Sequence, residues 1–204
     1  MENEKTKGPL FMLDQSEKDG KAEIVMDYCL SWFLRCAQDD VCLDKPKLKN
    51  RCRFMLNELL GGLLEDDDSI FKVEVWKESA HIDLWVTVVI QKANGKDKEK
   101  HAIMIENKYY TGLHLSRDTD GEYRNQLVVY KKKFDAYYDE SWILHHCVIT
   151  CMYRNNPHFD ALFGEVGRAE ELQEFSMFSL DDLLPDLEET ESDIYNEFML
   201  KDWC

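Results

Sequence analysis

Apolar positions recur at helical spacing early in the chain and alternate with polar ones in its middle. The change of period outlines the fold. Ala22, Ile24, Val25, Tyr28, Trp32 and Phe33 follow a helical pattern over about 21–38. After Pro46, residues Leu48, Cys52, Met55, Leu56, Leu59, Leu60 and Leu63 form a second apolar stripe. Gly61 and Gly62 weaken its last turn, and "EDDDS" at 65–69 ends it. Three strand patterns come next, at 71–78, 81–90 and 101–110. In the second, Ile82, Leu84, Val86 and Val88 share one face. Asn94-Gly95 between the last two predicts a hairpin, so the third strand returns antiparallel. A loop leads to a predicted helix over 122–139 with Glu122 in its first turn, then to a strand over 141–154. Beyond Pro157 the pattern predicts a mainly helical, acidic segment.

The order of elements describes one α/β domain over 21–155, preceded by a polar lead-in at 1–20. Residues 156–204 are expected to be a C-terminal extension packed on or near that domain. The first twenty residues carry no apolar run of the kind that directs secretion. "LWVTVVI" at 84–90 is too short to cross a bilayer. These features lead us to expect a soluble, cytoplasmic protein with no membrane partner.

Charge changes the picture mainly through its distribution. The formal net charge of −16 argues against a general nucleic-acid coat. Yet residues 91–133 carry a net +4, while 159–204 carry −12. Seven cysteines without a CxxC pair read as small core hydrophobes in a reducing compartment. His145, His146 and Cys147 cannot all reach one ion, because neighbouring strand residues point to opposite faces.

Candidate chemistry lies where the core strands are interrupted. Asp83 stands between Ile82 and Leu84, and Glu106 and Lys108 follow the apolar run Ala102–Ile105. Residues two apart on a strand share a face, so Glu106 and Lys108 stand side by side. Taken alone, that pair also suits an ordinary ion pair at a strand end. Two carboxylates on adjacent strands, however, can share a hard divalent cation, and a lysine beside them can neutralise developing negative charge.

"HID" followed after a hairpin by "IMIENK" resembles the PD-(D/E)xK nuclease superfamily in its "ID…ENK" form. "RNQLVVYKKKF" carries Gln126 and Tyr130, similar to the QxxxY helix of the RecB-like branch. The resemblance covers about residues 20–155. It implies a restriction-endonuclease-like αβββαβ core, with a mixed central sheet flanked by helices and followed here by the acidic tail. It further implies a Mg²⁺- or Mn²⁺-dependent nuclease acting on DNA. Asp83, Glu106, Lys108, Gln126 and Tyr130 carry over as catalytic residues. Asp83 and Glu106 carry over as metal ligands, joined by Glu23 of the first helix. Glu74 or Glu78 could supply a further carboxylate.

The chain departs from the family pattern in two places: the family's proline is absent, replaced by His81-Ile82, and the insert between Lys108 and Gln126 is long. Arg117, Arg124 and Lys131–Lys133 are candidates for gripping phosphates. A homodimer is compatible with the pattern. The alternative function is a catalytically inactive interaction module on the same fold. Its acidic tail would mimic nucleic acid or dock a protein partner through Phe175, Phe178, Leu180, Leu183, Leu184, Tyr195 and Phe198.

Overall fold

Alternating side chains on the central strands demand cover on both faces of a sheet, and helices supply it on each side. The computed structural model describes residues 21–201, apart from 80, 94, 96, 97, 110, 111, 161–163 and 165–169. The lead-in at 1–20 and Asn94 of the hairpin signal therefore lie outside the described residues. Helix α1 spans Lys21–Cys36 and α2 spans Pro46–Leu59. Strands β1 (Ser69–Ser79), β2 (Ile82–Gln91) and β3 (Lys98–Lys108) form an antiparallel meander.

Two short strands, β4 (Leu115–Arg117) and β5 (Tyr123–Asn125), pair beside the entrance to α3 (Gln126–Asp135). Strand β6 (Trp142–Thr150) then runs parallel to β3, and β7 (Phe175–Ser179) runs parallel to β6. A last helix, α4, covers Asp193–Met199. The result is a five-stranded mixed sheet in the order β1-β2-β3-β6-β7.

Each face of the sheet has its own core. On one face, Met26, Leu30, Phe33 and Leu34 of α1 and Leu48, Met55, Leu56 and Leu59 of α2 meet Leu84, Val86, Val88, Ile103 and Ile105. On the other, Leu127, Tyr130 and Phe134 of α3 meet Ile82, Trp85, Met104 and Val148. Edge strand β1 is partly capped: the Gln38 side-chain oxygen accepts from Val73 N at 2.8 Å, and Arg35 donates to Val75 O at 2.6 Å.

Three expectations need correction. Ile82, expected on the face of Leu84, Val86 and Val88, packs at the start of β2 into the α3-side core instead. The predicted helix at 122–139 begins only at Gln126 and ends at Asp135. Its first residues form β5, because pairing with β4 satisfies their backbone groups, and Asn125 caps the helix by accepting from Leu127 N at 3.0 Å. Among its described residues the C-terminal segment is not mainly helical. It contributes the edge strand β7, two short 3₁₀ turns and the seven-residue α4. Phe175, Leu180, Leu183, Tyr195 and Phe198 are buried within the two cores, with Tyr195 and Phe198 packed edge-on against Phe33. The alternation of charge and apolar residues, read as a helical period, marks instead a strand and turns whose apolar side chains complete the domain.

Candidate active site

The charged interruptions of β2 and β3 fall on the α3 side of the sheet. Register places Leu84 opposite Ile105, which brings Asp83 beside the Glu106 position. Asp83 Oδ2 accepts from Asn107 N at 2.8 Å. Glu106 is only 3% exposed and Lys108 5%, and Lys108 Nζ lies 2.8 Å from Glu106 Oε1. This pair is therefore buried, which sets it apart from an exposed strand-end ion pair.

Gln126 is fully buried at the first turn of α3 and binds in both directions. Its Nε2 donates to Glu106 Oε1, and its Oε1 accepts from His114 N at 3.1 Å. Gln126 N in turn donates to His114 O at 2.9 Å, so the loop before β4 is laced to the helix entrance. Tyr130, one turn further along α3, is buried on the same face and hydrogen-bonds Ser116. Glu23 reaches the site from α1, its Oε1 accepting from Tyr109 N at 3.0 Å. All six expected residues thus converge near the end of β3.

Electrostatics distinguish this cluster from a plain ion pair. Burial, reinforced by the Asp83 carboxylate, pushes the Glu106 carboxyl up to about 8, and Glu23 adds to the effect. Burial disfavours the Lys108 ammonium, but Glu106, Asp83 and Glu23 outweigh it and raise its affinity for the proton. Carboxylates outnumber cations here, so the site gains from taking up a proton or a further positive charge. Glu106 Oε2 is buried with no hydrogen-bond partner among the described residues.

That orphaned oxygen and an all-oxygen donor set fit a hard divalent cation. Among the described residues no three His, Cys, Asp or Glu side chains form a metal cluster. Mg²⁺ is commonly held by only one or two carboxylates, with waters completing its shell. The residues present therefore suit that ion.

Asp27 and Asn107 were not anticipated from sequence. Asn107 points to the opposite face from Glu106, where its Nδ2 donates to Asp27 Oδ1 at 2.6 Å. Burial raises the Asp27 carboxyl to about 7. A signal existed: Asp27 lies four residues after Glu23 on α1, on the same helical face.

The other expectations divide. Glu74 sits opposite Thr87, four residues along the strand from Asp83, and bridges Lys72 at 2.8 Å. The Glu78 side chain lies outside the described residues. His81, at the turn into β2, adopts a left-handed φ of +73°.

Arg124 and Lys132 are held by Asp118, and Lys131 by Asp135 and Glu174. Arg117 donates to Gly121 O at 3.3 Å. Most of the expected phosphate grips are thus committed within the domain. His145 pairs with His101 at 3.1 Å, and His146 with Asp135 at 2.7 Å, on opposite faces of β6. The described cysteines form no disulfide, and Cys36, Cys52, Cys147 and Cys151 are buried. No helix among the described residues is long and apolar enough to cross a membrane. No protein-family model, curated protein or solved structure matches the chain.

Proposed function

We propose that the protein is a metal-dependent nuclease that hydrolyses phosphodiester bonds of DNA at the Asp83–Glu106–Lys108 cluster. One observation carries the reading: a buried carboxylate, Glu106, has one oxygen orphaned while its other oxygen is fixed by Lys108 and Gln126. Keeping a carboxylate in that state costs stability, and a structural ion pair has no need of it.

Asp83 and Glu106 would hold the ion, Mg²⁺ or Mn²⁺, with Glu23 as the neighbouring carboxylate. When bound, such an ion supplies Lewis-acid polarisation of the phosphoryl group and a more acidic water. The chain's own groups set up the rest. Lys108 places a buried positive charge where negative charge develops on the phosphate oxygens, and low local polarity strengthens that interaction. Gln126 locks the Glu106 rotamer by binding it and the His114 backbone at once. Tyr130 walls the cluster on the α3 side. As water adds to phosphorus and the ester oxygen leaves, Lys108 stabilises the charge that accumulates.

The test is cleavage of supercoiled plasmid and single-stranded circles in Mg²⁺, Mn²⁺ or EDTA. Wild type cuts only with metal, and Glu106→Ala loses roughly a hundred- to a thousandfold in rate with an unchanged circular dichroism spectrum. Equal cutting by the variant would remove Glu106 from the mechanism. Absence of cutting by folded wild type in either metal would overturn the nuclease reading.

A further inference from the structure

The α3 face of the sheet carries a second feature beside the charged cluster. On β2, Asp83, Trp85 and Thr87 share that face, and β1 presents Trp76 directly opposite Trp85. Helix α3 covers Trp85 with Phe134, their ring centroids 4.7 Å apart, but stops at Asp135 and leaves Trp76 uncovered. The chain then turns, and Tyr137 meets the Trp85 ring edge-on at 5.3 Å. Tyr138 accepts a hydrogen bond from Trp85 Nε1 and stacks at a tilt on Trp142 at 4.8 Å.

These side chains enclose a trough of about 520 Å³. Its apolar walls are aromatic only, with no aliphatic side chain among the lining residues. Trp85 forms the floor, while Trp76 and Tyr137 stand at the mouth, 47% and 75% exposed.

Cations flank the trough, whose lining carboxylate, Glu74, is bridged to Lys72 at 2.8 Å. Lys133 lines it, with Nζ 5.8 Å from the ring centre of Tyr130 in the charged cluster. Lys100 Nζ lies 5.6 Å above the Trp142 ring at the other side. Trp85 is two residues from Asp83 on the same strand face, about 7 Å along the strand. Flat rigid rings, flanking ammonium groups and continuity with a phosphate-cleaving cluster together suit a chain of alternating flat bases and phosphates. Bases in a duplex are stacked on one another and cannot offer their faces to such walls.

We propose that this aromatic trough is a binding subsite for unpaired bases, so that the substrate is single-stranded nucleic acid or the single-stranded part of a branched one. The inference rests on the nuclease reading for its choice of ligand. Trp76 and Tyr137 supply the stacking surfaces, and Lys133 leads the backbone from the trough to the charged cluster.

The test separates binding from cleavage. Fluorescein-labelled oligothymidylate and a blunt duplex are titrated in EDTA with wild type, Trp76→Ala, Tyr137→Ala and Trp76→Phe, following anisotropy. Both alanine sites are exposed, so folding is retained, and thermal melts verify it. Removing one stacking ring weakens single-strand binding about 5- to 150-fold. Duplex binding is unchanged, and Trp76→Phe recovers most of the loss. Alanine variants that bind oligothymidylate as tightly as wild type would overturn the subsite, even if wild type cuts plasmid. This holds equally if the trough is then found to take a peptide. Ring-dependent single-strand binding by a protein that never cuts would keep the subsite and dismiss the nuclease.

Discussion

The two faces of the sheet are built from the same strands and differ in what they tolerate. Under α1 and α2, every second strand residue is apolar and packed, and buried polar groups occur there as pairs, Asp27 with Asn107 and His101 with His145. Under α3, the alternate positions of those strands hold Asp83, Glu106 and Lys108, and beside them an open aromatic trough. Both faces leave single buried atoms without a hydrogen-bond partner among the described residues, His101 Nε2, Asn107 Oδ1 and Tyr195 Oη on the first and Glu106 Oε2 on the second, but the second leaves a carboxylate oxygen so. On the proposed reading, the first face serves chiefly stability and the carboxylate cluster of the second serves the chemistry.

The sharpest way to break this contrast is to remove the C-terminal segment. A chain ending at Met152 lacks β7 and the buried Phe175, Leu180, Leu183, Tyr195 and Phe198. Each such side chain contributes roughly 1.5–3 kcal/mol, so the loss is comparable to the roughly 5–15 kcal/mol net stability of an average domain. We expect no cooperative thermal transition. A truncated chain that melts cooperatively and stays monodisperse would show that the acidic segment is an appendage.

A smaller effect sharpens the chemical face. Gln126→Leu removes the donor to Glu106 and the acceptor for His114 N. Cleavage should fall about 10- to 100-fold, with a higher Mg²⁺ concentration at half-maximal rate. An unchanged metal dependence would mean that Glu106 needs no help in holding its rotamer.

The gentlest probe concerns the stable face. Burial raises Asp27 from an ordinary 3.8 to about 7, so the folded state binds its proton more tightly than the unfolded chain does. The stabilisation linked to this group is fully present below the unfolded value. It is lost as pH rises from about 4 through about 7. Asp27→Asn should flatten that part of the stability profile and exceed wild type at pH 8 by about 1–3 kcal/mol. Urea melts at pH 5 and pH 8 measure it, and parallel profiles for the two proteins would contradict the assignment.

Much of the candidate site was legible because strand spacing is rigid. Asp83, Glu106 and Lys108 break apolar runs whose period is certain, and Gln126 and Tyr130 lie four apart on a helix. The spacing places Gln126 on the site's face of α3, but only the structure shows that its side chain binds Glu106. Asp27 escaped notice because one carboxylate on an amphipathic helix is commonplace until its burial is known. Trp76, Trp85, Tyr137, Tyr138 and Trp142 gave no hint of a trough, since aromatic residues scattered over three strands and a turn normally read as core.

The sequence by itself determined the α/β order, the antiparallel meander and the faces on which the key side chains stand, because these follow from local periods of 2 and 3.6 residues. Only the tertiary structure decided that β7 completes the sheet and that α3 ends short of Trp76. It alone placed Glu106 in a site with an orphaned oxygen. Those outcomes depend on which distant segments exclude water from which groups, and local periodicity carries no record of that.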